Sequence, residues 1–424
     1  MKAIVLAAGK GVRLEPLTAK RPKHLLPVAG APLIEHTLRS MHSAGVRDVL
    51  IVVHHMGDQI RSCLGSGSRL GLHIEYADQG GIFGTGHAMR MGEAFVGKDP
   101  FMLVYGDLAV YPDVFGEIIS SYKGRTSGLV AGVDLPDASE YGVIKASKGL
   151  VTQIMEKPRK ASSGTINGGI YILPNEIFGF AATAPKSERG EFELTTAINM
   201  AIGEGVSFRL HHVNSDKWVD VGRPWNVLDA NRMLMETSLD EATVGTSRGL
   251  KPNIVGKVLI EKGAEVLPGT FIEGPAWISS GCKIGPNCYL RPYTYLCNGV
   301  RVGNACEIKG SILMDKVHVG HLSYIGDSVI GANSNIGAGT ITANLRFDEM
   351  PVKVKVGDQE MDSGKRKLGA FIGEDVKTGI NVSLFPGVKV GNGSWIGPHV
   401  PLFRDVPPMT LVKARFDLEM RQRR

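Results

Sequence analysis

Residues 6–14 read LAAGKGVRL and directly follow the apolar run 3–5. A glycine-rich loop after an N-terminal strand commonly holds phosphate groups. This loop lacks the Gly-Lys-Ser/Thr of a Walker loop, and Leu14 stands where a dinucleotide fingerprint would place its third glycine. Arg13 adds a fixed positive charge beside Gly9 and Gly11, which a plain strand–turn–helix loop would not need. The stretch therefore predicts an α/β domain that opens on a phosphate-binding loop.

The composition limits the classes of protein to consider. The chain has 424 residues, so we expect two or three domains. Its net charge of +6 suits small anionic substrates, whereas a nucleic-acid reader would concentrate its charge on one face. With no apolar run of 18 residues and no basic leader, we expect a cytoplasmic protein without a membrane partner. The 5 cysteines form no C-x-x-C pair, which argues against disulfide or metal use.

Short apolar runs alternate with amphipathic stretches over the first 240 residues. The alternation predicts a mixed, mostly parallel sheet with helices on both faces. Strands are expected at 2–7, 48–54, 101–105, 127–133, 143–146, 151–156, 166–173 and 217–220. Helices are expected at 32–44, 85–95, 112–122, 191–203 and 223–237, with Pro32 and Pro112 in first turns.

Two aspartates follow predicted strands, Asp107 in VYGD and Asp220 in WVDVG. Ligands on such sheets bind beyond the carboxyl ends of the strands, and Mg²⁺ takes one or two carboxylates plus phosphate oxygens. An aspartate in this position more often only caps a turn. Beside a phosphate loop, Arg13 and Lys23, the pair favours in-line attack on a nucleotide phosphate, with Asp107 and Asp220 holding Mg²⁺.

The stretch LAAGKGVRLEPLTAKRPKHLLPVAGAPLI, residues 6–34, resembles the sugar-1-phosphate nucleotidylyltransferases. Further matches are Q-x4-G-T-G at 79–86, YGD at 105–107, YGVI at 141–144, INGGIYIL at 166–173 and WVDVG at 218–222. The resemblance implies that Arg13 and Lys23 act on the phosphates. It implies that the nucleotide lies on Ala8, Gly9, Gly11, Arg13, Gln79 and Gly84, and the sugar phosphate on Thr85, Tyr105, Gly142, Glu156 and Asn167.

The last 170 residues show a different spacing of apolar residues. Aliphatic residues recur every six positions, and smaller residues recur four places later in each hexapeptide. The first column is Ile254, Ile260, Val266, Ile272, Ile278, Ile284, Leu290, Leu296, Val302 and Ile308. The second is Val258, Ala264, Thr270, Ala276, Cys282, Cys288, Thr294, Val300, Cys306 and Ile312. This period predicts a hexapeptide parallel β-helix, of the left-handed type, in which the cysteines are compact hydrophobes.

The hexapeptide phase slips between Lys309 and Val329, and residues 342–371 interrupt it as an insertion. Inside the insertion, VKVKV followed by Gly357-Asp358 predicts a projecting hairpin. Phase breaks and insertions in repeat proteins cluster where function lies. A β-helix that only oligomerises or regulates is the competing interpretation.

Residues 320–345, GHLSYIGDSVIGANSNIGAGTITANL, resemble the acetyltransferase domain of bifunctional N-acetylglucosamine-1-phosphate uridyltransferase/glucosamine-1-phosphate acetyltransferases. RFDE at 346–349 and KRKLGAFIG at 365–373 are typical of the archaeal form. The resemblance implies His321 as catalytic base. It implies the sugar phosphate on Arg291, Lys309, Tyr324 and Asn335, and acetyl-CoA on Ala338, Asn344 and Arg415. Leu345 replaces a family tyrosine, so coenzyme A placement stays open, with insertion lysines such as Lys353 as candidates.

The interpretation is a bifunctional enzyme: acetyl transfer from acetyl-CoA to glucosamine or galactosamine 1-phosphate, then Mg²⁺-dependent transfer of UMP or dTMP to the N-acetylated product. The alternatives are a nucleotidylyltransferase with a purely structural β-helix, and a nucleotide-binding scaffold. The expected domains are 1–238, a linker at 239–252 and 253–424, which ends in a tail at 407–424. The resemblance implies a homotrimer built along the β-helices, or a dimer of such trimers. The nucleobase and the gluco or galacto configuration are open.

Overall fold

The computed structural model describes residues 1–81, 83–122, 127–158, 163–239, 243–244, 253–417 and 419–422. These residues form two compact units. Unit 1 comprises Met1–Gly11, Arg21–Leu26 and Ala31–Gly222, and unit 2 comprises Val12–Lys20, Pro27–Gly30 and Arg223–Arg424. No helix within these described ranges combines the length and the apolar character needed to cross a bilayer.

The first half of the chain alternates strands with helices, as its sequence predicts. The strands are β1 Ala3–Ala7, β2 Pro27–Val28, β3 Ala31–Pro32, β4 Asp48–Val53, β5 His73–Asp78, β6 Phe101–Tyr105, β7 Leu108–Val110, β8 Gly128–Leu135, β9 Gly142–Ser147, β10 Leu150–Glu156, β11 Gly164–Leu173, β12 Phe208–Val213 and β13 Trp218–Asp220. The helices are α1 Leu33–Ser43, α2 Gly57–Leu64, α3 Thr85–Arg90, α4 Glu93–Val96, α5 Val114–Ser121, α6 Ile177–Thr183, α7 Leu194–Gly203 and α8 Pro224–Ser238. Short 3₁₀ turns lie at Val12–Leu14, Lys23–Leu25, Ser68–Leu70 and Ser215–Lys217.

A nine-stranded sheet forms the centre of unit 1, in the order β5-β4-β1-β6-β11-β8-β12-β10-β9. The run β5-β4-β1-β6 and the pair β8-β12 are parallel. The pairs β6-β11, β11-β8, β12-β10 and β10-β9 are antiparallel. The sheet is therefore mixed as predicted, but "mostly parallel" is wrong beyond β6.

Alternate side chains of β1 pack into two separate hydrophobic cores. Val5 packs in the cluster that contains Ile34 and Leu38 of α1. Ile4 packs in the cluster that contains Met89 of α3 and Ile198 of α7. Because successive side chains of a strand point to opposite faces, the sheet carries helices on both faces, as predicted.

The sequence-based element bounds fail in a few places. The predicted helix 85–95 is two helices, α3 and α4, that meet at Gly92. A Cβ on Gly92 would lie 2.3 Å from Ile4 Cδ1, so the glycine permits close packing on β1 but interrupts the helix. Pro32 is the N-cap of α1 and Pro112 precedes Asp113, the N-cap of α5, so neither lies in a first turn.

Unit 2 contains a parallel β-helix, as predicted. Its strands are β14 Thr243–Val244, β15 Asn253–Val255, β16 Val258–Ile260, β17 Glu265–Val266, β18 Phe271–Glu273, β19 Ala276–Ile278, β20 Lys283–Ile284, β21 Tyr289–Leu290, β22 Thr294–Leu296, β23 Arg301–Val302, β24 Glu307–Lys309, β25 Ile312–Leu313, β26 His318–Val319, β27 Tyr324–Gly326, β28 Val329–Ile330, β29 Asn335–Ile336, β30 Ile341–Thr342, β31 Lys353–Val356, β32 Gln359–Asp362, β33 Phe371–Ile372, β34 Lys377–Thr378, β35 Ser383–Leu384, β36 Lys389–Val390, β37 Trp395–Ile396, β38 Pro401–Leu402 and β39 Leu411–Val412.

Three eight-stranded sheets form the faces of the β-helix. Face 1 is β14-β16-β19-β22-β25-β28-β33-β36, face 2 is β15-β18-β21-β24-β27-β30-β35-β38, and face 3 is β17-β20-β23-β26-β29-β34-β37-β39. Both predicted columns are buried inside, except that Ile254 is partly buried. All 5 thiols are free. Thr243–Val244, within the predicted linker, already pairs with β16. Most of that linker lies outside the described residues.

The phase slip resolves into two shortened corners. Face 2 turns into face 1 at residues 309–311 and again at 326–328, and each corner has one residue fewer than the regular repeat. The fully buried Ser311 and Ser328 donate to Lys309 O and Gly326 O over 2.8 and 2.7 Å, and Ser328 N donates to Ser311 Oγ over 3.0 Å. The hydroxyls thus satisfy backbone groups at the tightened corners.

The insertion leaves the β-helix at the same corner, one coil further on, between β30 and β33. Its strands β31 and β32 form the predicted hairpin around Gly357-Asp358. The hairpin does not project freely, because Val352, Val354 and Val356 are buried. A Cβ on Gly387 would lie 2.4 Å from Lys353 O, which shows how closely the hairpin packs on the β-helix.

Candidate active sites

One cavity in unit 1 lies at the carboxyl ends of β1 and β6. Eight of the predicted site residues line it: Ala8, Gly9, Lys23, Gln79, Gly84, Thr85, Tyr105 and Asp107. Leu6, His24, Ala88 and Glu191 complete the lining. Residues that are far apart in sequence therefore meet at the edge of the sheet where α/β proteins bind ligands.

An ion pair stands at the floor of this cavity. Lys23 Nζ donates to Asp107 Oδ2, and the two side chains are only 15% and 16% exposed. Burial opposes the Asp107 charge, but the charge and hydrogen bond of Lys23 outweigh it, so the pKa of Asp107 is lowered. The Lys23 amine also lies near Gly9, 3.7 Å from where a Cβ would stand. The Gly9 backbone and the ammonium are therefore close neighbours in the cavity wall.

The fully enclosed His24 is a cavity residue that sequence reasoning missed. Its Nδ1 has no hydrogen-bond partner among the described residues. Burial, reinforced by the Lys23 charge, lowers the pKa of His24 to about 3, so the imidazole is neutral near pH 7. His24 directly follows the predicted Lys23, but nothing in the sequence distinguished it from a surface histidine.

The second predicted metal ligand, Asp220, ends β13, which pairs with β7 immediately after Asp107. Val221 N donates to Asp107 O over 3.0 Å, so the backbones of the two aspartates are held side by side. Within the described ranges, no group of three or more His, Cys, Asp or Glu side chains forms a metal site. Two carboxylates with further ligands from a phosphate remain compatible with Mg²⁺.

The predicted base-reading residues are tied to each other. Gln79 is buried, and its Nε2 donates to Gly84 O over 3.0 Å. Gly84 has φ +99°, and a Cβ there would lie 2.5 Å from Phe192 O, so only glycine fits. Thr85 Oγ1 accepts from Leu194 N over 3.1 Å. These contacts fix the predicted nucleobase loop onto the segment before α7.

The predicted sugar residues form a second group. Gly142 pairs with Glu156 across β9 and β10, and a Cβ on Gly142 would lie 3.0 Å from Glu156 Oε2 and 3.6 Å from Asn167 Cβ. Arg189, which sequence reasoning missed, donates to Glu156 Oε1 over 3.2 Å and to Glu193 Oε1 over 2.9 Å. Burial raises the pKa of Glu193.

The remaining loop residues are placed differently. Gly11 has φ +68°, which suits its position at the end of the loop. Arg13 is exposed in the 3₁₀ turn Val12–Leu14, in the segment that groups with unit 2. The cavity lining does not include Arg13.

In unit 2, four polar side chains meet where face 2 turns into face 1. Lys309 Nζ donates to both carboxylate oxygens of Asp327, over 2.9 and 3.1 Å. Asn344 Nδ2 donates to Asp327 Oδ2 over 2.6 Å and to Tyr324 Oη over 3.1 Å. Burial raises the pKa of Tyr324. Asp327 was missed as a site residue, although it occupies the second shortened corner.

Arg291 lies one coil before Lys309 on the same edge of face 2. Its Nη1 donates to Glu307 Oε1 over 2.8 Å, and its guanidinium lies 5.6 Å from the ring centre of Tyr289. Its Nε is buried without a partner among the described residues. Both predicted phosphate-binding cations on this face thus already face a carboxylate.

His321 is exposed at the corner between faces 3 and 2, with Ala338 one coil on, where Gly339 N donates to His321 O over 3.0 Å. His321 falls within the interval predicted for the phase slip, but its own corner keeps the regular spacing, and the two shortened corners lie on the far side of face 2. Asn335 is on face 3, between His318 and Lys377. Arg415 is exposed beyond β39.

Comparison with known proteins agrees with both halves. The nucleotidyl transferase family model matches residues 2–237, and the GMPPB C-terminal domain model matches residues 272–384. The bifunctional protein GlmU of Methanococcus maripaludis is 40% identical over 428 residues, which cover 100% of each chain. The chain belongs to the bifunctional sugar-1-phosphate nucleotidylyltransferase/acetyltransferase family.

Another member of this bifunctional family comes from Sulfurisphaera tokodaii, whose bifunctional sugar-1-phosphate nucleotidylyltransferase/acetyltransferase is 39% identical over 96% of this chain and 98% of the relative. A crystal structure described as a glucose-1-phosphate thymidylyltransferase from Bacillus anthracis, in complex with a sucrose, has a TM-score of 0.50 and 30% identity. It covers 55% of this chain and 94% of its own. The chain is therefore an enzyme with an α/β nucleotidyltransferase fold followed by a β-helix.

The domain limits stay a prediction. The nucleotidyl transferase match runs to residue 237 and so includes α8, whereas α8 groups with unit 2 by its contacts.

Proposed function

We propose that the enzyme acetylates the amine of glucosamine or galactosamine 1-phosphate and then transfers UMP or dTMP to the N-acetylhexosamine 1-phosphate. The observation that carries the proposal is the unit 1 cavity, because eight residues assigned from the sequence line this single cavity. The polar cluster of Lys309, Tyr324, Asp327 and Asn344 supports the second activity.

In the nucleotidyl step, an oxygen of the sugar phosphate attacks the α-phosphorus of the triphosphate, and pyrophosphate leaves as the α–β bond breaks. Such transfers depend on positioning and charge neutralisation. Lys23 is preorganised at the floor of the cavity for a phosphate oxygen. To bind that oxygen, the Lys23 ammonium would leave Asp107, with which it is now paired.

Asp107 and Asp220 fit Mg²⁺, since one is a carboxylate held charged in the cavity and the other ends the neighbouring strand. When bound, Mg²⁺ would supply positive charge to the phosphates. Because His24 beside Asp107 is neutral, it does not compensate the negative charge of that carboxylate, which stays available to a metal ion.

In the acetyl step, the sugar amine attacks the thioester carbonyl carbon, the carbon–sulfur bond breaks, and the thiolate leaves. The attacking nitrogen must lose a proton, and histidine is the side chain suited to accept it near neutral pH. We assign this role to His321, whose exposed corner adjoins the same face as Tyr324. Ala338 beside His321, together with Asn344 and Arg415, would contact acetyl-CoA.

A homotrimer built along the β-helices would reconcile the placement of the acetyl-transfer residues. Tyr324 and Asn335 stand on faces 2 and 3, which diverge within one chain. In a trimer, face 3 of one copy can meet face 2 of the next. We further propose that the enzyme works in the cytoplasm, where nucleoside triphosphates and acetyl-CoA are supplied.

One assay grid tests the whole proposal. Glucosamine and galactosamine 1-phosphate are each supplied with acetyl-CoA, and their N-acetylated forms with UTP or dTTP plus Mg²⁺. We expect CoA release in the first set and pyrophosphate release in the second. Pyrophosphate without CoA release would favour a nucleotidylyltransferase with a structural β-helix, and neither product would favour a binding scaffold.

A further inference from the structure

A basic pocket lies in unit 2 between α8 and the returning end of the insertion. Five cationic side chains line it against only two carboxylates, Asp229 and Asp327. The cations are Arg232, Lys309, Lys365, Arg366 and Lys367. Such an excess of positive charge around a concave surface favours an anionic ligand.

Most of these charges are already balanced. Lys309 is paired with Asp327, Lys365 Nζ lies 2.5 Å from Asp229 Oδ1, and Arg366 is paired with Glu349. Like Lys367, Arg232 makes no ion pair within the part of the chain that the structure describes. It is exposed and therefore open to a ligand.

Arg232 is nevertheless held in place. Its guanidinium carbon lies 4.6 Å from the ring centre of Tyr293. Tyr293 is held at its hydroxyl and at its backbone, since its Oη donates to Glu236 Oε1 over 2.6 Å and its carbonyl oxygen accepts from Asn231 Nδ2 over 3.1 Å. A guanidinium that lies over a ring uses no N–H donor for that contact, so its donors stay available in the fork geometry that matches two phosphate oxygens.

The pocket is continuous with the proposed acetyl-transfer cluster. Leu368 N, at the pocket wall, donates to Asn344 O over 2.9 Å. The Asn344 side chain in turn contacts Asp327 and Tyr324. A ligand anchored in the pocket would therefore extend toward the residues assigned to acetyl transfer.

We infer that Arg232, from helix α8, binds a phosphate group of one acetyl-transfer substrate. The inference rests on the proposed acetyltransferase function and adds to it a residue outside the β-helix. The phosphate belongs either to the amino-sugar 1-phosphate or to coenzyme A, and both present the same chemistry to the guanidinium.

The test compares full-length Arg232→Gln and Arg232→Lys with Arg209→Gln, a control that removes an exposed charge on β12 in unit 1. KM for glucosamine 1-phosphate and KM for acetyl-CoA are measured separately, with kcat. We expect Arg232→Gln to raise one KM roughly 10- to 100-fold with kcat nearly unchanged, and Arg232→Lys to recover part of the loss. The substrate whose KM rises identifies the owner of the phosphate.

Two unchanged KM values in Arg232→Gln, or an equal change in Arg209→Gln, would overturn the inference. Calorimetric titration with each substrate keeps the test separate from the proposed function. Should the unaltered enzyme release no CoA, the acetyltransferase proposal fails. The titration then decides the role of Arg232 by itself. Weaker binding of glucosamine 1-phosphate or acetyl-CoA to Arg232→Gln would support that role, and binding of both ligands as tight as in the unaltered enzyme would overturn it.

Discussion

The hydroxyl of Tyr171 donates a hydrogen bond to the hydroxyl of Tyr105 over 3.2 Å. Tyr171 is fully buried and also accepts from Asn167 Nδ2 over 2.6 Å. Two residues assigned to the sugar site therefore share one buried phenol. Burial raises the pKa of both tyrosines, so the chain of hydroxyls stays neutral and keeps its donors. Tyr171 is accordingly a positioning residue for Tyr105 and Asn167.

Tyr171→Phe should raise KM for the sugar 1-phosphate roughly three- to tenfold in nucleotidyl transfer, because a hydrogen bond is worth about 0.5–1.5 kcal/mol. The ring still fills its site, so the fold should persist. Steady-state kinetics with varied sugar phosphate gives the answer. Tyr76→Phe, which removes a hydroxyl bonded to Gly65 O, is the control. An unchanged KM would show that Tyr171 only packs.

Arg13→Ala should slow nucleotidyl transfer by roughly 10²–10³, because a preorganised cation at developing negative charge is worth about 3–4 kcal/mol. Acetyl transfer should continue. Pyrophosphate release and CoA release are measured on the same preparation. Lys10→Ala removes an exposed cation from the same loop and should leave both rates near the original. Normal pyrophosphate release in Arg13→Ala would refute its assignment.

Asp107→Asn should abolish Mg²⁺-dependent nucleotidyl transfer, because a neutral amide replaces a carboxylate beside phosphate charge. It should also free Lys23 from its ion pair. The measurement is pyrophosphate release across a Mg²⁺ titration. Asp113→Asn, on the surface at the N-cap of α5, serves as the control. Full activity at ordinary Mg²⁺ would place the metal elsewhere.

His321→Ala should lower CoA release by roughly 10²–10⁴, the usual cost of removing a general base, and leave pyrophosphate release near the original. The exposed His212→Ala in unit 1 is the matched control for acetyl transfer. If most acetyl transfer survived, another base would be required. A parallel fall of both activities would instead point to folding or assembly.

His24 should make stability depend on pH. Its pKa of about 3 in the folded protein compares with about 6.5 for an unfolded histidine, so the unfolded state binds the extra proton between these values. The free energy of unfolding should therefore fall as the pH falls, by about 1.6 kcal/mol from pH 6.5 to 5. Melting temperatures across this range should show a smaller decline in His24→Gln than in the exposed His73→Gln. Equal slopes would contradict the prediction.

The six-residue period was sufficient to predict the β-helix, because every interior position requires the same thing, a side chain small enough to fit inside a narrow prism. It also indicated most strands of unit 1. The edge strand β5 escaped because its pattern, HIEYAD, is half polar and lacks a second buried face. His24, Arg189 and Asp327 escaped for another reason. Their roles arise from neighbours that are distant in sequence, and one sequence carries no sign of those contacts.

The two shortened corners and the insertion stack on one edge of the β-helix in successive coils. Each coil is held to the next by hydrogen bonds along its faces, so that edge can lose a residue or gain a loop while the stack keeps its register. The number of residues in the connections at this edge can therefore vary without disturbing the stack, as it can in the loops at the end of an antibody domain. Exchanging the insertion for one of another length should change which acceptor is recognised while the prism behind it folds as before.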